Sequence, residues 1–565
     1  VHFKYKKYDF TITYFRQFLY LPFFDSLLSI LFISQKMKFA YLFIFYLAFA
    51  GQIFAQNTPI PKREFRAVWI ATVANTDFPS KKNLHPFQQQ EEFNRLIKKH
   101  KEIGVNAVIV QVRPATDAFY HSDRELWSEW LTGRQGNEPR PFYDPLDYMI
   151  NEAHKNGMEF HAWFNPYRAV YDTSRVEAIH QEHITNRRPE WFVQYGKVKY
   201  FNPAIPQVRE YITSVISDVV KRYDIDGVHF DDYFYPYPIS NLPLNDQKDF
   251  EKYGQGFASI EDWRRQNVNL LIESITKSIR QIKPKTKFGI SPFGVWRNQK
   301  EDKQGSFTTT GTTGYDHLFA DVRLWLKNNW IDYVVPQVYF HSQFKPAPYQ
   351  KLVDWWAANS FGKHLYIGMA AYKIGSKTDT LWQNLSEMPS QMRFNRFCEN
   401  INGTVFFSSK SLLANSFQDS LKIHFFRYPS LIPRMSWKDS IAPNPPTDLI
   451  LHKSYKSVFL QWKAPQRAID GDEAVYYVIY RFENNEKINL EDASKIIGIS
   501  RNKGEFFLDR TVNNGAKYQY LVTALDQLHN ESPMSNAVIV HFENSSWLDF
   551  IKVVLEIYFK AQWNK

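Results

Sequence analysis

The 565-residue chain has a single cysteine, Cys398, so no disulfide can form within it whatever its compartment. It also lacks a basic run. The formal net charge of +11 falls to +7 once residues 1–55, with six Lys/Arg and two Asp/Glu, are set aside, and the remaining cations are dispersed. A nucleic-acid groove needs clustered Lys and Arg, so nucleic acid is not an expected partner. The first strand candidate, Phe65–Thr72, leads into "ATVANTDFPS" without a glycine-rich phosphate turn, which argues against an open, doubly wound nucleotide-binding sheet. No His-x-His pair stands on that strand and no His/Cys cluster occurs elsewhere. His161 and His229 alone do not make a metal site, so no metal and no cofactor are expected.

What is present is export-like at one end and aromatic throughout. The segment from Met37, "MKFAYLFIFYLAFAGQIFAQ", has a short basic start, an apolar stretch and a small residue at Ala55. It is expected to be a signal peptide over residues 37–55, sending the protein to the periplasm or beyond. Residues 1–36 then read as an upstream extension that is not native to the mature protein. The apolar window 18–33 is interrupted by Asp25 and is marginal as a membrane span. No cysteine follows the apolar stretch, which leaves membrane anchoring without a lipid site. The 44% hydrophobic and 22% charged shares are those of a globular protein, but aromatics reach 17%. Such rings serve equally as core and as platforms for sugar faces.

From residue 60 to 430, short apolar runs alternate with amphipathic helices. Strands are expected at 65–72, 106–113, 159–165, 227–232, 287–292, 331–338, 365–370 and 403–408. The stripe Phe93, Leu96, Ile97, His100, Ile103 has helical spacing and stops at Gly104; Val208 to Val219 and Val268 to Ile282 make two more. Repeated strand–helix units pair in parallel, and eight of them close an α/β (β/α)8 barrel. Residues 431–446 carry several prolines and read as a linker. From 447 to 543 short alternating runs such as "SVFLQW" and "VYYVIY" indicate a small all-β sandwich of fibronectin type III pattern, expected to act in spacing or docking. The aromatic tail, 544–565, has no assigned role.

Barrel enzymes carry their reacting groups at the C-terminal ends of the strands. In "GVHFDDYFYP" alternation turns Val228 and Phe230 to the helices and His229 and Asp231 to the axis, with Asp232 at the rim. The same parity aims Arg113 inward, with Asp117 on the loop beyond it. It also aims Asn165 inward below Tyr167 and Arg168, and places Trp296, Arg297, Gln337 and Tyr339 at the ends of two later strands. Carboxylates, amides and aromatics together suit a hydroxyl-rich ligand. Glycosidic cleavage needs two carboxyl groups, one protonating the leaving oxygen and one acting as nucleophile or base. Asp231 is the expected nucleophile or charge stabiliser. Asp232, beside that charge, and Asp117 compete for the general acid, and Arg113 is placed to hold the other charge. Trp69 and Trp163 read as barrel core, and Trp296 as a sugar platform.

Six ordered motifs, "FRAVWIATVANTDFPS", "QVRPATDAFYHS", "AWFNPYR", "GVHFDDYFYP", "GISPFGVWRN" and "PQVYF", resemble the glycosyl-hydrolase-like family ten proteins over about 63–435. The resemblance implies a (β/α)8 barrel exported by bacteria and hydrolysing a cell-wall glycan, with peptide-free peptidoglycan strands as the leading polysaccharide substrate. It implies catalysis by Asp231 and Asp232. It also implies a cleft lined by Arg113, Asp117, Asn165, Tyr167, Arg168, Trp296, Arg297, Gln337 and Tyr339, with His229 and Tyr233 flanking the pair. Two other functions remain open: a non-catalytic glycan binder, and a metal-dependent deacetylase or amidase on the same polymer.

Overall fold

The computed structural model describes residues 60–542 apart from 176–178, 455, 484 and 502–503. The expected upstream extension, signal peptide and tail lie outside the described residues. The chain runs through β1 (Phe65–Ile70), β2 (Ala107–Arg113) and β3 (Glu159–Phe164), then three short strands, β4 (Arg168–Val170), β5 (Phe192–Tyr195) and β6 (Val198–Phe201). It continues through β7 (Gly227–Phe230), β8 (Lys287–Ile290), β9 (Tyr333–Val334), β10 (His364–Met369) and β11 (Ile401–Phe406). Eight of these close a parallel barrel in the order β1-β2-β3-β7-β8-β9-β10-β11, while β4, β6 and β5 form a separate antiparallel sheet inserted after β3. Each barrel strand coincides with a run expected from the sequence. The inserted sheet was not expected.

Alternation sorts the side chains. Val68, Ile70, Val108, Val110, Phe160, Val228, Phe230 and Ile290 pack outward against the helices, including Pro86–Ile103, Pro206–Arg222 and Ile260–Ile282. The first of these is held by a capping box between His85 and Gln88 and ends at Gly104, whose φ of 99° suits glycine. Phe65, Ala67, Trp69, Ile109, Trp163, Tyr333 and Tyr366 fill the axis. Large rings there need small neighbours. A β-carbon on Gly227 would lie 2.5 Å from His161 Nδ1, and one on Gly289 would lie 2.1 Å from the Tyr333 ring. Gly289→Ala is therefore expected to destabilise the barrel by about 1–3 kcal/mol through overpacking, read as a lower urea midpoint.

A polar column stands inside this core. Glu159 meets Lys287 Nζ, His161 Nε2 at 2.9 Å and His529 Nε2 at 2.6 Å. His161 Nδ1 lies 2.7 Å from the Tyr333 hydroxyl, which lies 3.1 Å from His229 Nδ1. Trp69 Nε1–H donates to His229 Nε2 at 3.3 Å, which places the histidine's own proton on Nδ1. Burial, with His161 nearby, holds His229 neutral.

His529 belongs to the sandwich. Its strands are β12 (Thr447–Ser454), β13 (Ser457–Lys463), β14 (Tyr476–Glu483), β15 (Ile496–Ser500), β16 (Phe506–Asp509), β17 (Lys517–Leu525) and β18 (Val538–His541). They form two facing sheets, β12-β13-β16 and β15-β14-β17-β18, around Trp462, Tyr477, Tyr518 and Tyr520. The sandwich is docked against the barrel. Its 526–531 turn sends Leu528 and His529 into the N-terminal end of the barrel, and Arg501 reaches Asp226, just before β7, at 2.8 Å. Residues 431–446 are themselves packed there: Leu431 bridges Arg63, Trp437 stands edge-on to His364, and Lys438 Nζ meets Asp332 at 3.0 Å.

Candidate active site

The C-terminal end of the barrel, opposite that seal, holds the two carboxylates at the end of β7. Asp231 is 5 % exposed and Asp232 4 %. Three N–H groups aim at Asp231: Trp163 Nε1 at 3.1 Å and Asn165 Nδ2 at 2.9 Å on Oδ2, and the Tyr233 backbone at 3.3 Å on Oδ1. Burial raises its pKa above the usual carboxylate value, and the Arg168 charge and these donors offset part of that rise. Asp232 has different company. It accepts from the Tyr237 hydroxyl and the Gln337 amide. Burial, then the Asp231 charge, push it up to about 6. Both carboxyl groups are thus raised, Asp232 with the added push of the Asp231 charge, while the N–H donors and the Arg168 charge gather at Asp231.

The aromatic surround comes from several loops. Tyr233 and Tyr237 meet edge to face at 5.5 Å, and Phe293 lies 6.2 Å from Tyr237. Tyr339 feels the Asp232 charge and packs against Tyr372 and Phe407. Arg168, on β4, is carried over the site by the inserted sheet, where Tyr200 also lies within reach of the Asp231 charge. Asp231, Asp232, Asn165, Arg168, Tyr233, Gln337 and Tyr339 are accordingly brought together.

Other expected site residues have different work. Arg113 is 1 % exposed and does not touch the aspartates; it pairs with Glu125 through two bonds of 2.6–2.7 Å and donates to the carbonyls of Asn165 and Pro166. Its role is to brace the loop above β3. Tyr167 turns into the core between barrel and helices, because the residue after Pro166 leaves the strand's alternation. His229 is sealed in the polar column, below the mouth. Trp296 is no open platform: Trp355 stacks on it at 5.7 Å and the Arg323 guanidinium covers it at 4.8 Å. Arg297 is engaged by Asp302 and Asp316. Asp117 is buried beside Ser128, and burial followed by the charges of Glu129 and Glu125 lifts it to about 7. It lines a separate 30 Å³ cavity with Trp130, Tyr171 and Arg175. Trp163 is core, as expected, and also donates to Asp231. Tyr237, not singled out, is the site residue that sequence reasoning missed; its place in the aromatic run after Asp232 was the available signal.

Both ring nitrogens of His161 and His229 face protein groups, so neither is presented to a ligand at the mouth. Among the described residues, the one grouping of three acidic or sulfur/imidazole ligands close enough for a cation is Asp439, Asp470 and Asp472, at the sandwich side.

A closed barrel with paired, differently poised carboxyl groups at its C-terminal rim defines a glycan-hydrolase-like protein. Residues 64–384 match the family model described as glycosyl hydrolase-like 10, and the chain belongs to that family. Residues 446–543 match a fibronectin type III domain, that of the SaeA third domain. The glycosyl hydrolase YngK of Bacillus subtilis is 43% identical over 478 residues, 84% of this chain and 92% of the relative. The glycosyl hydrolase DigH of Escherichia coli K12 is 37% identical over 381 residues, 63% of this chain and 86% of the relative. The PgaB (BpsB) glycoside hydrolase domain from Bordetella bronchiseptica aligns at 14% identity with a TM-score of 0.42, over 65% of this chain and 99% of that one.

Proposed function

We propose that the protein is an exported glycoside hydrolase that cleaves glycosidic bonds in a bacterial cell-wall glycan, with peptide-free peptidoglycan strands as substrate. The single observation that carries the chemistry is the unequal surround of the pair: N–H donors and the Arg168 charge gather at Asp231, while burial and the Asp231 charge push Asp232 up to about 6. Asp232 protonates the leaving oxygen. Asp231 stabilises the positive charge that develops on the sugar, or attacks it. Tyr233, Tyr237 and Tyr339 supply ring faces, and Gln337 orients the acid. Family membership supports glycan hydrolysis, and the segment 37–55 supports export. The full occupation of His161 and His229 favours this reading over a metal-dependent deacetylase built on those histidines.

The acid assignment fixes a pH dependence. Asp232 must be protonated to work, so kcat/KM is expected to fall about tenfold per pH unit above about 6. In Asp232→Asn that limb disappears together with most of the rate; a limb that persists unchanged assigns the acid elsewhere. The function itself is tested by incubating purified protein with peptide-free and intact cell-wall sacculi. Soluble fragments with new reducing ends from the peptide-free material are expected. Retention of intact strands without cleavage identifies a binder, and acetate or peptide release without reducing ends identifies a deacetylase or amidase.

A further inference from the structure

Among the described residues, one cation at the site makes no direct ion pair. Arg168 is 7 % exposed, and its position is fixed from four sides. Its backbone N–H donates to Asn165 Oδ1 at 2.9 Å, its carbonyl accepts from the Thr116 hydroxyl at 3.0 Å, its Nε–H donates to the Pro114 carbonyl at 2.9 Å, and its main chain pairs with Tyr200. The guanidinium lies 5.3 Å from the Tyr233 ring centre and 5.9 Å from that of Tyr171. Among the described residues its two terminal nitrogens have no hydrogen-bond acceptor and no carboxylate within ion-pair distance, and they keep access to solvent. The other buried arginines are different. Arg66 meets Glu64 at 2.6 Å, Arg113 meets Glu125 at 2.6 Å and Arg265 meets Asp262 at 2.6 Å. Asp231 feels the Arg168 charge, but its own hydrogen bonds come from Trp163, Asn165 and the Tyr233 backbone.

No carboxylate of the described residues lies within ion-pair distance of this guanidinium, and its open edge matches a carboxylate with two parallel N–H bonds. We propose that Arg168 reads a carboxylate on the sugar bound at Asp231 and Asp232, so that the substrate is an acidic glycan and Arg168 is its specificity-determining residue. This rests on the hydrolase reading above. In peptidoglycan, the carboxyl of the lactyl ether is free only where the stem peptide has been removed, so a carboxylate-reading arginine selects peptide-free strands. A uronic acid would offer the same group on another carbon.

The test crosses enzyme with substrate. Peptide-free strands are used as such and after conversion of their carboxyls to N-methylamides, and an oligouronate of equal length is the third probe. Wild type and Arg168→Gln are compared for kcat and KM by reducing ends, and for affinity by calorimetry on short fragments of the same probes. Wild type is expected to prefer acid over amide by about 10- to 100-fold, mostly in KM and in affinity, as for hydrogen bonds to a charged group. Arg168→Gln is expected to bring that ratio close to one, with Arg168→Lys partly restoring it. Preference for the oligouronate over the strands assigns the carboxylate to the ring and keeps the site. An equal loss on acid and amide, with the ratio unchanged, overturns the proposal and leaves Arg168 as a neighbour that only tunes Asp231. Selective binding of the acid without cleavage refutes the hydrolase while upholding the carboxylate site; cleavage without acid preference does the reverse.

Discussion

Replacing Asp231 with asparagine is expected to lower the rate of glycan cleavage by about 100- to 10,000-fold, the range over which a positioned carboxyl group acts. The side chain would keep its size, and the glycan its aromatic contacts, so binding to peptide-free strands should persist. Two changes remove the chemistry. An amide carries no charge to set against an oxocarbenium-like centre. It must also direct one of its ends at donors that now converge on both oxygens: Trp163 and Asn165 on one, the Tyr233 N–H on the other. Asp232 is affected too. Its pKa is raised by burial first and by the Asp231 charge second, so loss of that charge should move its residual pH limb downward. Initial rates between pH 4 and 8, as about the useful range for these carboxyls, read both effects. An Asp231→Asn protein within tenfold of wild type would remove Asp231 from the mechanism.

The second large effect lies far from the chemistry. Arg501→Met should destabilise the protein by about 3–5 kcal/mol, the cost of leaving a buried carboxylate without its partner. Asp226 is 2 % exposed, and Arg501 reaches it across the boundary between barrel and sandwich at 2.8 Å. His154 and the Phe160 N–H complete its shell at 2.9 and 2.8 Å. Burial alone would raise Asp226, but Arg501 and His154 outweigh it and hold the carboxyl well below the usual range. The sign follows. A depressed carboxyl contributes stability that is fully present above its unfolded value near 4 and is lost only as pH falls toward the lower folded value. Urea midpoints at neutral pH should therefore show the whole penalty in Arg501→Met, and less of it when Asp226→Asn is added. A drop below about 1 kcal/mol would mean that the pair is solvated and the sandwich docked more loosely than its contacts indicate.

The fold was legible because its strongest signals are local. Eight apolar runs separated by helical stripes can close in few ways, and the period of two turned His229 and Asp231 to the axis as the structure has them. The site was legible only where a strand still governed its side chains. Past the strand ends alternation stops, and an aromatic in a loop looks the same whether it faces a sugar or fills a gap. Trp296 and Tyr167 are buried for that reason, while Tyr237 reaches Asp232. Charge pairing was equally hidden. Arg113 belongs to Glu125, twelve residues on along an irregular loop, and not to the aspartates nearer to it in the barrel pattern. The sheet of β4, β5 and β6 has strands of three or four residues, too short for a period to register, yet it carries Arg168. The sandwich was recognisable as a module. Its grip on the barrel was not, since His529 and Arg501 are single residues in turns and strand ends.

The central claim, that water is added across a glycosidic bond under the control of Asp231 and Asp232, is tested most directly by digesting peptide-free strands in ¹⁸O-water. Mass spectra of the fragments should show one heavy oxygen per new reducing end, with labelled fragments formed about 100- to 10,000-fold more slowly by Asp231→Asn. Fragments lacking that oxygen because they end in anhydro-sugars, or a label incorporated equally by wild type and Asp231→Asn, would contradict it.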